Sequence, residues 1–101
     1  MTIPKISVLM GVYNPNIKFL SVAINSILKQ TFKNFEFIIV NDGSNREISE
    51  YLLNYRKTDE RIRLLSIKNN IGLTKALNYG LAKCKGEFIA RQDADDISDK
   101  N

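Results

Sequence analysis

Three carboxylates lie close together near the end of the sequence: Asp93, Asp95 and Asp96, which follow the apolar run 88–90. Carboxylates at this spacing repel one another, and each is costly to remove from water. A divalent cation such as Mg²⁺ relieves that repulsion, because it favours oxygen ligands and usually binds one or two carboxylates together with substrate phosphates. The spacing is typical either of a metal–diphosphate site at the end of a strand or of a solvated acidic loop.

In a metal site, Asp95 is the predicted ligand of the divalent cation, which would bridge the two phosphates of a nucleotide diphosphate. Asp93 would then be free to accept hydrogen bonds from ribose hydroxyls. Asp42 lies between a predicted strand and a predicted helix, and it could accept a hydrogen bond from a ring N–H such as N3–H of uracil. The alternative for Asp42 is a turn residue, because the pair Asp42-Gly43 suits tight turns.

Three further residues are candidates for contacts to a nucleotide. Tyr13 follows the first predicted strand and could lie beside a base, or it could close the core. Asn70 and Gly72 precede the third predicted helix, where exposed backbone N–H groups could approach a phosphate. Turn formation explains these two residues almost as well.

Short apolar runs alternate with amphipathic stretches, which predicts the order β-α-β-α-β-α-β. Asn14 is the predicted N-cap of the first helix, and Ser44 with Glu47 has the spacing of a capping box for the second. This alternation predicts an α/β, Rossmann-like parallel sheet with helices on both faces. A strand order of 3-2-1-4 would gather the polar strand ends in one crevice. The predicted strands are 6–12, 35–40, 63–67 and 87–90, and the first predicted helix is 16–30.

Composition narrows the class of protein. The 101 residues suffice for one domain, and 44% hydrophobic residues are ordinary for a globular core. The net charge is +4, but the lysine and arginine residues are dispersed along the chain, so we expect no binding of nucleic acid. A single cysteine and no histidine exclude an internal disulfide and a Cys-His nucleophile. No apolar run approaches the length of a membrane span, and no secretory signal is evident.

With these residues identified, nearly the whole chain resembles the N-terminal half of a family 2 glycosyltransferase of the GT-A fold. Each matching fragment is weak alone, but their order and spacing together are specific. The departures are Met10-Gly11, where many members have a proline-containing pair, and Leu77, at a position that is often arginine. The matching fragments are Val12-Tyr13-Asn14, Gln30-Thr31, 40–44, 70–73, 76–80 and 86–96.

The resemblance implies transfer of a sugar from a nucleotide-activated donor, most often UDP-linked, to an acceptor hydroxyl on a glycan or lipid-linked acceptor, with inversion. It implies that Val12 and Tyr13 border the base, and that Asp42 reads it. It further implies that Asp93 holds the ribose and that Asp95 binds Mn²⁺ or Mg²⁺. The predicted nucleotide-binding set is completed by Asn14, Asn70 and Gly72.

Residues 1–101 would therefore form the truncated, nucleotide-sugar-binding part of a glycosyltransferase domain, with the acceptor-binding half and the catalytic base beyond residue 101. We expect the isolated chain to bind nucleotide weakly, to be inactive in transfer, and to self-associate through the surface exposed by truncation. The parent protein is expected in the cytoplasm, and the sequence leaves open whether it lies at the inner face of the membrane. The alternative is a non-catalytic nucleotide-binding or interaction module. The sequence argues against a receiver-type domain, because such a domain needs paired carboxylates at the position of Tyr13-Asn14.

Overall fold

A computed structural model describes residues 4–30 and 34–94, which form a parallel sheet of four strands connected by helices. With the strands numbered along the chain, their order in the sheet is 3-2-1-4, as predicted from the sequence. The predicted α/β, Rossmann-like architecture is confirmed. The elements in chain order are β1 (Ile6–Val12), α1 (Ile17–Leu28), β2 (Phe35–Asp42), α2 (Arg46–Thr58), β3 (Ile62–Ile67), α3 (Leu73–Leu81) and β4 (Phe88–Arg91).

The two faces of the sheet carry different helices. On one face, Phe37 and Ile39 pack in a core with α1 and α2, while on the other Ile38 and Val40 pack against Ala76 of α3. Alternate residues of a strand point to opposite faces, so a strand covered on both sides is largely apolar, as β2 is over residues 37–40. Every residue of β2 is accordingly buried, and β2 is the centre of the fold.

Two helices begin at residues other than the predicted caps. Asn16 caps α1 by accepting hydrogen bonds from the N–H groups of residues 18 and 19, and Asn45 caps α2 by accepting one from Ile48. The predictions of Asn14 and Ser44 as caps are wrong. Both residues instead bond to each other across the loops after β1 and β2, a long-range contact that local spacing does not reveal.

A buried polar network fixes the start of β4. The carboxylate of Glu36, near the amino end of β2, accepts hydrogen bonds from Ser7 Oγ (2.6 Å), Arg63 Nη1 (2.8 Å) and the N–H of Lys85 (2.6 Å). Ser7 Oγ in turn accepts the N–H of Gly86 at 2.7 Å. Burial alone disfavours the charged carboxylate, but these hydrogen bonds outweigh it and hold the pKa of Glu36 below its ordinary value. One carboxylate thus joins three strands to the connection that delivers β4.

The outer edge of β4 is exposed and apolar. Phe88 is 58% exposed and Ile89 47%, and within residues 4–30 and 34–94 β4 pairs only with β1. A cavity of about 260 Å³ between α1 and β4 is lined largely by apolar side chains, including Ile27, Phe35 and Ala90. No helix in the described part of the chain is both long and apolar enough to cross a membrane.

We predict that Glu36→Gln lowers the free energy of unfolding by about 2 kcal/mol. A neutral amide offers the three donors one acceptor oxygen, whereas the carboxylate offers two oxygens that share a negative charge. Urea unfolding at about pH 7 measures the loss. The matched control is Glu50→Gln, which breaks only the exposed pair with Arg46 on α2 and should change stability by less than about 0.5 kcal/mol.

The carboxylate of Glu36 should also make the stability of the fold depend on pH. The folded-state pKa of Glu36 lies below its ordinary value of 4.5, so its stabilisation is present above pH 4.5 and is lost as the pH falls through the folded-state pKa. The stability difference between wild type and Glu36→Gln should therefore shrink as the pH is lowered from 4.5 through the folded-state pKa. A difference that stays constant over this range would contradict the assignment.

Candidate functional site

The carboxyl ends of the parallel strands meet at one edge of the sheet. The chain leaves β1 towards β2 on one side, whereas β4 pairs with β1 on the other, so the strand order reverses between β1 and β4. In open parallel sheets, ligands bind outside the carboxyl ends at this point of reversal. The residues that follow Val12 and Arg91 are therefore the leading candidates for a ligand-binding site.

A cleft of about 490 Å³ opens at this point. Its volume lies within the range of small-molecule sites. Two aromatic side chains in its wall are largely accessible, Tyr13 at 54% and Phe19 at 58%. The lining residues are Gly11, Tyr13, Pro15, Asn16, Phe19, Leu73, Asp93 and Ala94.

Two of the predicted site residues, Tyr13 and Asp93, line this cleft. The N–H of Gln92 donates to the carbonyl of Leu9 at 2.9 Å, which continues the pairing of β4 with β1 up to the residue before Asp93. An exposed aromatic ring and an exposed carboxylate thus face one volume. That combination suits a ligand with a flat ring and hydroxyl groups.

The predicted metal ligand Asp95, and Asp96 beside it, lie outside the described residues. Within residues 4–30 and 34–94, no group of three or more acidic, histidine or cysteine side chains is placed to hold a metal ion. The metal site therefore stays a prediction from the sequence.

The other predicted residues are not among those that line the cleft. Val12 is buried in the core shared with α1 and α2. Asn14 adopts a left-handed backbone, with φ of 45°, and its Oδ1 accepts the N–H of Asn45 at 2.7 Å. The N–H of Asn14 donates to Ser44 Oγ at 3.1 Å, and that hydroxyl donates to the carbonyl of Val12 at 3.4 Å. These bonds join the loop after β1 to the loop after β2.

Asp42, at the end of β2, is 1% exposed. Its Oδ1 accepts the N–H of Ile71 at 2.8 Å, while its Oδ2 accepts Asn70 Nδ2 at 2.8 Å and the N–H of Gly72 at 3.0 Å. The Asn70 amide also donates to the Asp42 carbonyl at 3.2 Å. The structure brings Asp42, Asn70 and Gly72 together and joins them to one another.

Glycine is needed beside this contact. Gly43 has φ of 70°, and a Cβ atom there would lie 2.5 Å from the backbone nitrogen of Asn70. Only a residue without a side chain allows the two backbones to approach so closely. We call the side chains of Asn14, Asp42, Ser44 and Asn70 the loop clasp, because together they connect the loops that follow β1, β2 and β3.

Phe19 and Leu73 line the cleft although sequence reasoning did not select them for the site. Phe19 precedes the buried Leu20 and lies off the apolar stripe of α1. A large apolar residue on the accessible side of a helix, near a strand end, is the feature by which the sequence could have identified it. Leu73, the first residue of α3, is 53% exposed although it is apolar. Its position at the first turn of α3 places it over the strand ends rather than over the sheet.

Comparisons with known proteins agree with this geometry. The family model described as Glycosyl transferase family 2 matches residues 7–101. The O-antigen biosynthesis glycosyltransferase WbnJ of Escherichia coli is 43% identical over 95 residues, which cover 92% of this chain and 36% of the relative. Glycosyltransferase GlyG of Streptococcus pneumoniae is 40% identical over 96 residues, which cover 95% of this chain and 32% of the relative.

Solved structures show the same fold. S. aureus TarS 1-349 in complex with UDP aligns over 90% of this chain and 27% of its own, with a TM-score of 0.79 and 30% identity. The mannosyltransferase PcManGT from Pyrobaculum calidifontis, in complex with GDP-Man and Mn²⁺, aligns over 91% of this chain and 28% of its own, with a TM-score of 0.81 and 22% identity. The chain spans about a third of the length of the E. coli and S. pneumoniae relatives and less of some others. On the match over residues 7–101 and these identities, the chain belongs to glycosyl transferase family 2.

Proposed function

We propose that this chain forms the donor-binding part of an inverting glycosyltransferase that uses a nucleotide-diphosphate sugar, with a UDP-sugar as the donor. The observation that carries the proposal is the shared cleft of Tyr13 and Asp93 at the carboxyl ends of β1 and β4. Further support comes from S. aureus TarS, which is 30% identical and whose structures contain UDP and UDP-GlcNAc.

The cleft offers different chemistry on its two sides. The accessible ring of Tyr13 can stack on a nucleobase, because every base has a π-face. The carboxylate of Asp93 can accept hydrogen bonds from the ribose hydroxyls, and such charge-assisted bonds are stronger than neutral ones. Val12 holds the preceding backbone in the core, so Tyr13 projects from a fixed strand end.

Asp95 is the proposed ligand of Mn²⁺ or Mg²⁺. Two observations support this assignment. Asp93, two residues earlier, lines the cleft, and hard divalent cations favour carboxylate and phosphate oxygens as ligands. When bound, such a cation would neutralise the charge of the diphosphate.

Sugar transfer also requires a base that reaches the acceptor hydroxyl directly or through one water. Asp93 is the one carboxylate among the described residues that line the cleft, and we assign it to the donor. We therefore propose that the base and the acceptor site belong to a longer protein, with a glycan or a lipid-linked glycan as acceptor. The O-antigen role in the name of the E. coli relative supports a glycan.

We predict that Tyr13→Ala weakens UDP binding about tenfold, because a stacked aromatic ring contributes about 1–3 kcal/mol per base. Calorimetric titration of UDP with Mn²⁺ measures the change. The matched control is Tyr79→Ala, which removes an exposed tyrosine of α3 that does not line the cleft. Equal affinities in the two variants would contradict the placement of the base.

Removal of the metal tests the role of Asp95. We predict that UDP binds more weakly when Mn²⁺ is chelated, and that Asp95→Ala abolishes the difference between titrations with and without Mn²⁺. Asp99→Ala, which removes another carboxylate of the same segment, is the matched control and should keep the metal dependence. Metal dependence that survives in Asp95→Ala would overturn the assignment.

An assay on a longer chain distinguishes the enzyme from the alternative function, a non-catalytic nucleotide-binding or interaction module. A longer chain that transfers sugar from UDP-GlcNAc or another UDP-sugar to a glycan supports the enzyme. A longer chain that binds UDP with the same dependence on Tyr13 and Asp95 but transfers no sugar supports the module.

We also propose that copies of this chain associate through β4. The support is the exposed pair Phe88 and Ile89 on an edge that has no further strand partner in the described part of the chain. Light scattering across a concentration series should show a rising mean mass, which Phe88→Lys lowers. Leu53→Lys, at an exposed apolar residue of α2, is the control and should leave the association unchanged. A monomer at every concentration would contradict the proposal.

A further inference from the structure

We infer that the pairing register of β4, and with it the position of Asp93 at the cleft, is set at the opposite edge of the sheet by Glu36 and Ser7. Both residues lie outside the cleft, and they act as positioning residues because they hold the connection that delivers β4. The inference rests on the proposed function for the role of Asp93. It goes beyond that function, because it makes the donor site depend on a polar network about 20 Å away along the strand.

The side-chain pattern of β4 does not set its register. All four residues of the strand are exposed, with Phe88 at 58% and Ile89 at 47%, and in the described part of the chain β4 pairs with β1 alone. A register is strongly specified where one face of a strand is buried. A shift of β4 by two residues would keep the same side chains on the same faces. The observed register therefore needs another cause.

Hydrogen bonds before the strand favour one register. Oε2 of Glu36 accepts the N–H of Lys85 at 2.6 Å and the hydroxyl of Ser7 at 2.6 Å. Oγ of Ser7 in turn accepts the N–H of Gly86 at 2.7 Å. Two consecutive N–H groups thus meet two buried acceptors, since Ser7 is 0% and Glu36 7% exposed. A shift of the chain by two residues towards the carboxyl edge would present the N–H groups of residues 83 and 84, which already bond within the end of α3.

Gly86 favours the same register for a steric reason. A Cβ atom at this position would lie 2.5 Å from the nitrogen of Ser7 and 2.6 Å from the carbonyl carbon of Ile6, and both are backbone atoms. A shift by one or two residues in either direction would bring residue 84, 85, 87 or 88 to this place, and none of them is glycine. Only the observed register places a residue without a side chain beside Ser7.

The pairing of β4 with β1 carries the register to the cleft. The N–H of Phe88 donates to the carbonyl of Lys5 at 3.0 Å, and the N–H of Gln92 donates to the carbonyl of Leu9 at 2.9 Å. A shift by two residues would move Asp93 about 7 Å along the sheet, which is more than twice the length of a hydrogen bond. The network at the amino edge therefore determines which carboxylate stands in the cleft wall.

Amide hydrogen exchange without nucleotide tests the register. Ser7→Ala removes the acceptor that holds the connection before β4. Exchange at Gln92, at the far end of β4, should accelerate about tenfold or more, because the strand is no longer held at its start. Tyr55→Phe is the matched control, since it deletes one hydrogen bond between α2 and α1 and should leave exchange at Gln92 unchanged. The amides of β2 should respond alike in the two variants.

Unchanged exchange at Gln92 in Ser7→Ala would overturn the inference, and so would an equal acceleration at Gln92 and throughout β2, which would indicate a loss of stability alone. If Ser7→Ala does not fold, Glu36→Gln, which keeps the shape of the side chain, is judged by the same exchange at Gln92.

A double-mutant cycle separates positioning from stability at the cleft. UDP is titrated by NMR without divalent metal, so that the predicted metal ligand does not contribute. If Ser7 acts through Asp93, Ser7→Ala weakens UDP binding about fivefold in the wild-type background but less than about twofold in Asp93→Ala. Equal effects in the two backgrounds, including none, would overturn the inference, because independent contributions add.

Failure of the proposed function is distinguishable from failure of this inference. Absence of UDP binding by the wild-type chain, with and without Mn²⁺, would contradict the proposed function, whereas selective acceleration at Gln92 in Ser7→Ala would still support the register. Unchanged exchange at Gln92 would overturn the register inference even if UDP binds with the expected dependence on Tyr13.

Discussion

The central strand β2 carries a buried carboxylate near each end, and each must be supplied with hydrogen-bond donors. Glu36 is 7% exposed and Asp42 is 1% exposed. An unpaired charge in such a place would cost several kcal/mol, so the surrounding backbone has to bring donors to it. At the amino end the donors come from β1, β3 and the connection before β4, and at the carboxyl end they come from the loop after β3. The two carboxylates thus fix the connections that surround the sheet.

This constraint explains how so small a sheet can present a shaped cleft. Apolar packing places α1 and α2 on one face of the sheet and α3 on the other, but it leaves the loops at the strand ends undetermined. Directional hydrogen bonds remove that freedom, and in the described part of the chain no buried side-chain nitrogen or oxygen lacks a partner. The polar residues at the carboxyl edge therefore divide into a supporting set, the loop clasp, and a set that faces the cleft.

The division also clarifies the relation to glycosyl transferase family 2. Membership in the family rests on similarity along residues 7–101, which includes both sets without distinguishing them. Of the residues that the family resemblance connected with the nucleotide, Tyr13 and Asp93 lie in the cleft wall, while Asn14, Asp42 and Asn70 bond to one another or to neighbouring loops. The same motifs therefore contain side chains that line the cleft and side chains that join the loops around it.

The architecture was determined by features that can be read locally. Short apolar runs specify the strands, amphipathic stretches specify the helices, and their alternation specifies a parallel sheet with right-handed crossovers and polar strand ends at one edge. The strand order 3-2-1-4 followed from the need to collect those ends, and the structure confirms it. Tyr13 and Asp93 were selected for the same reason, since Tyr13 directly follows β1 and Asp93 lies two residues after the end of β4.

The partners of the polar side chains were decided only by the tertiary structure. Asn14 and Ser44 have the sequence of helix caps, yet they bond across 30 residues, and the partners of Asp42 lie 28 to 30 residues away. Local propensity predicts the nearest hydrogen bond, whereas folding selects the set that satisfies every buried group at once. The exposure of Phe19 and Leu73 also depended on where the helix ends meet the strand ends. The sequence by itself determined where polar groups would gather, and the packing of the loops determined which of them face the cleft, because a buried carboxylate must be satisfied before it can serve a ligand.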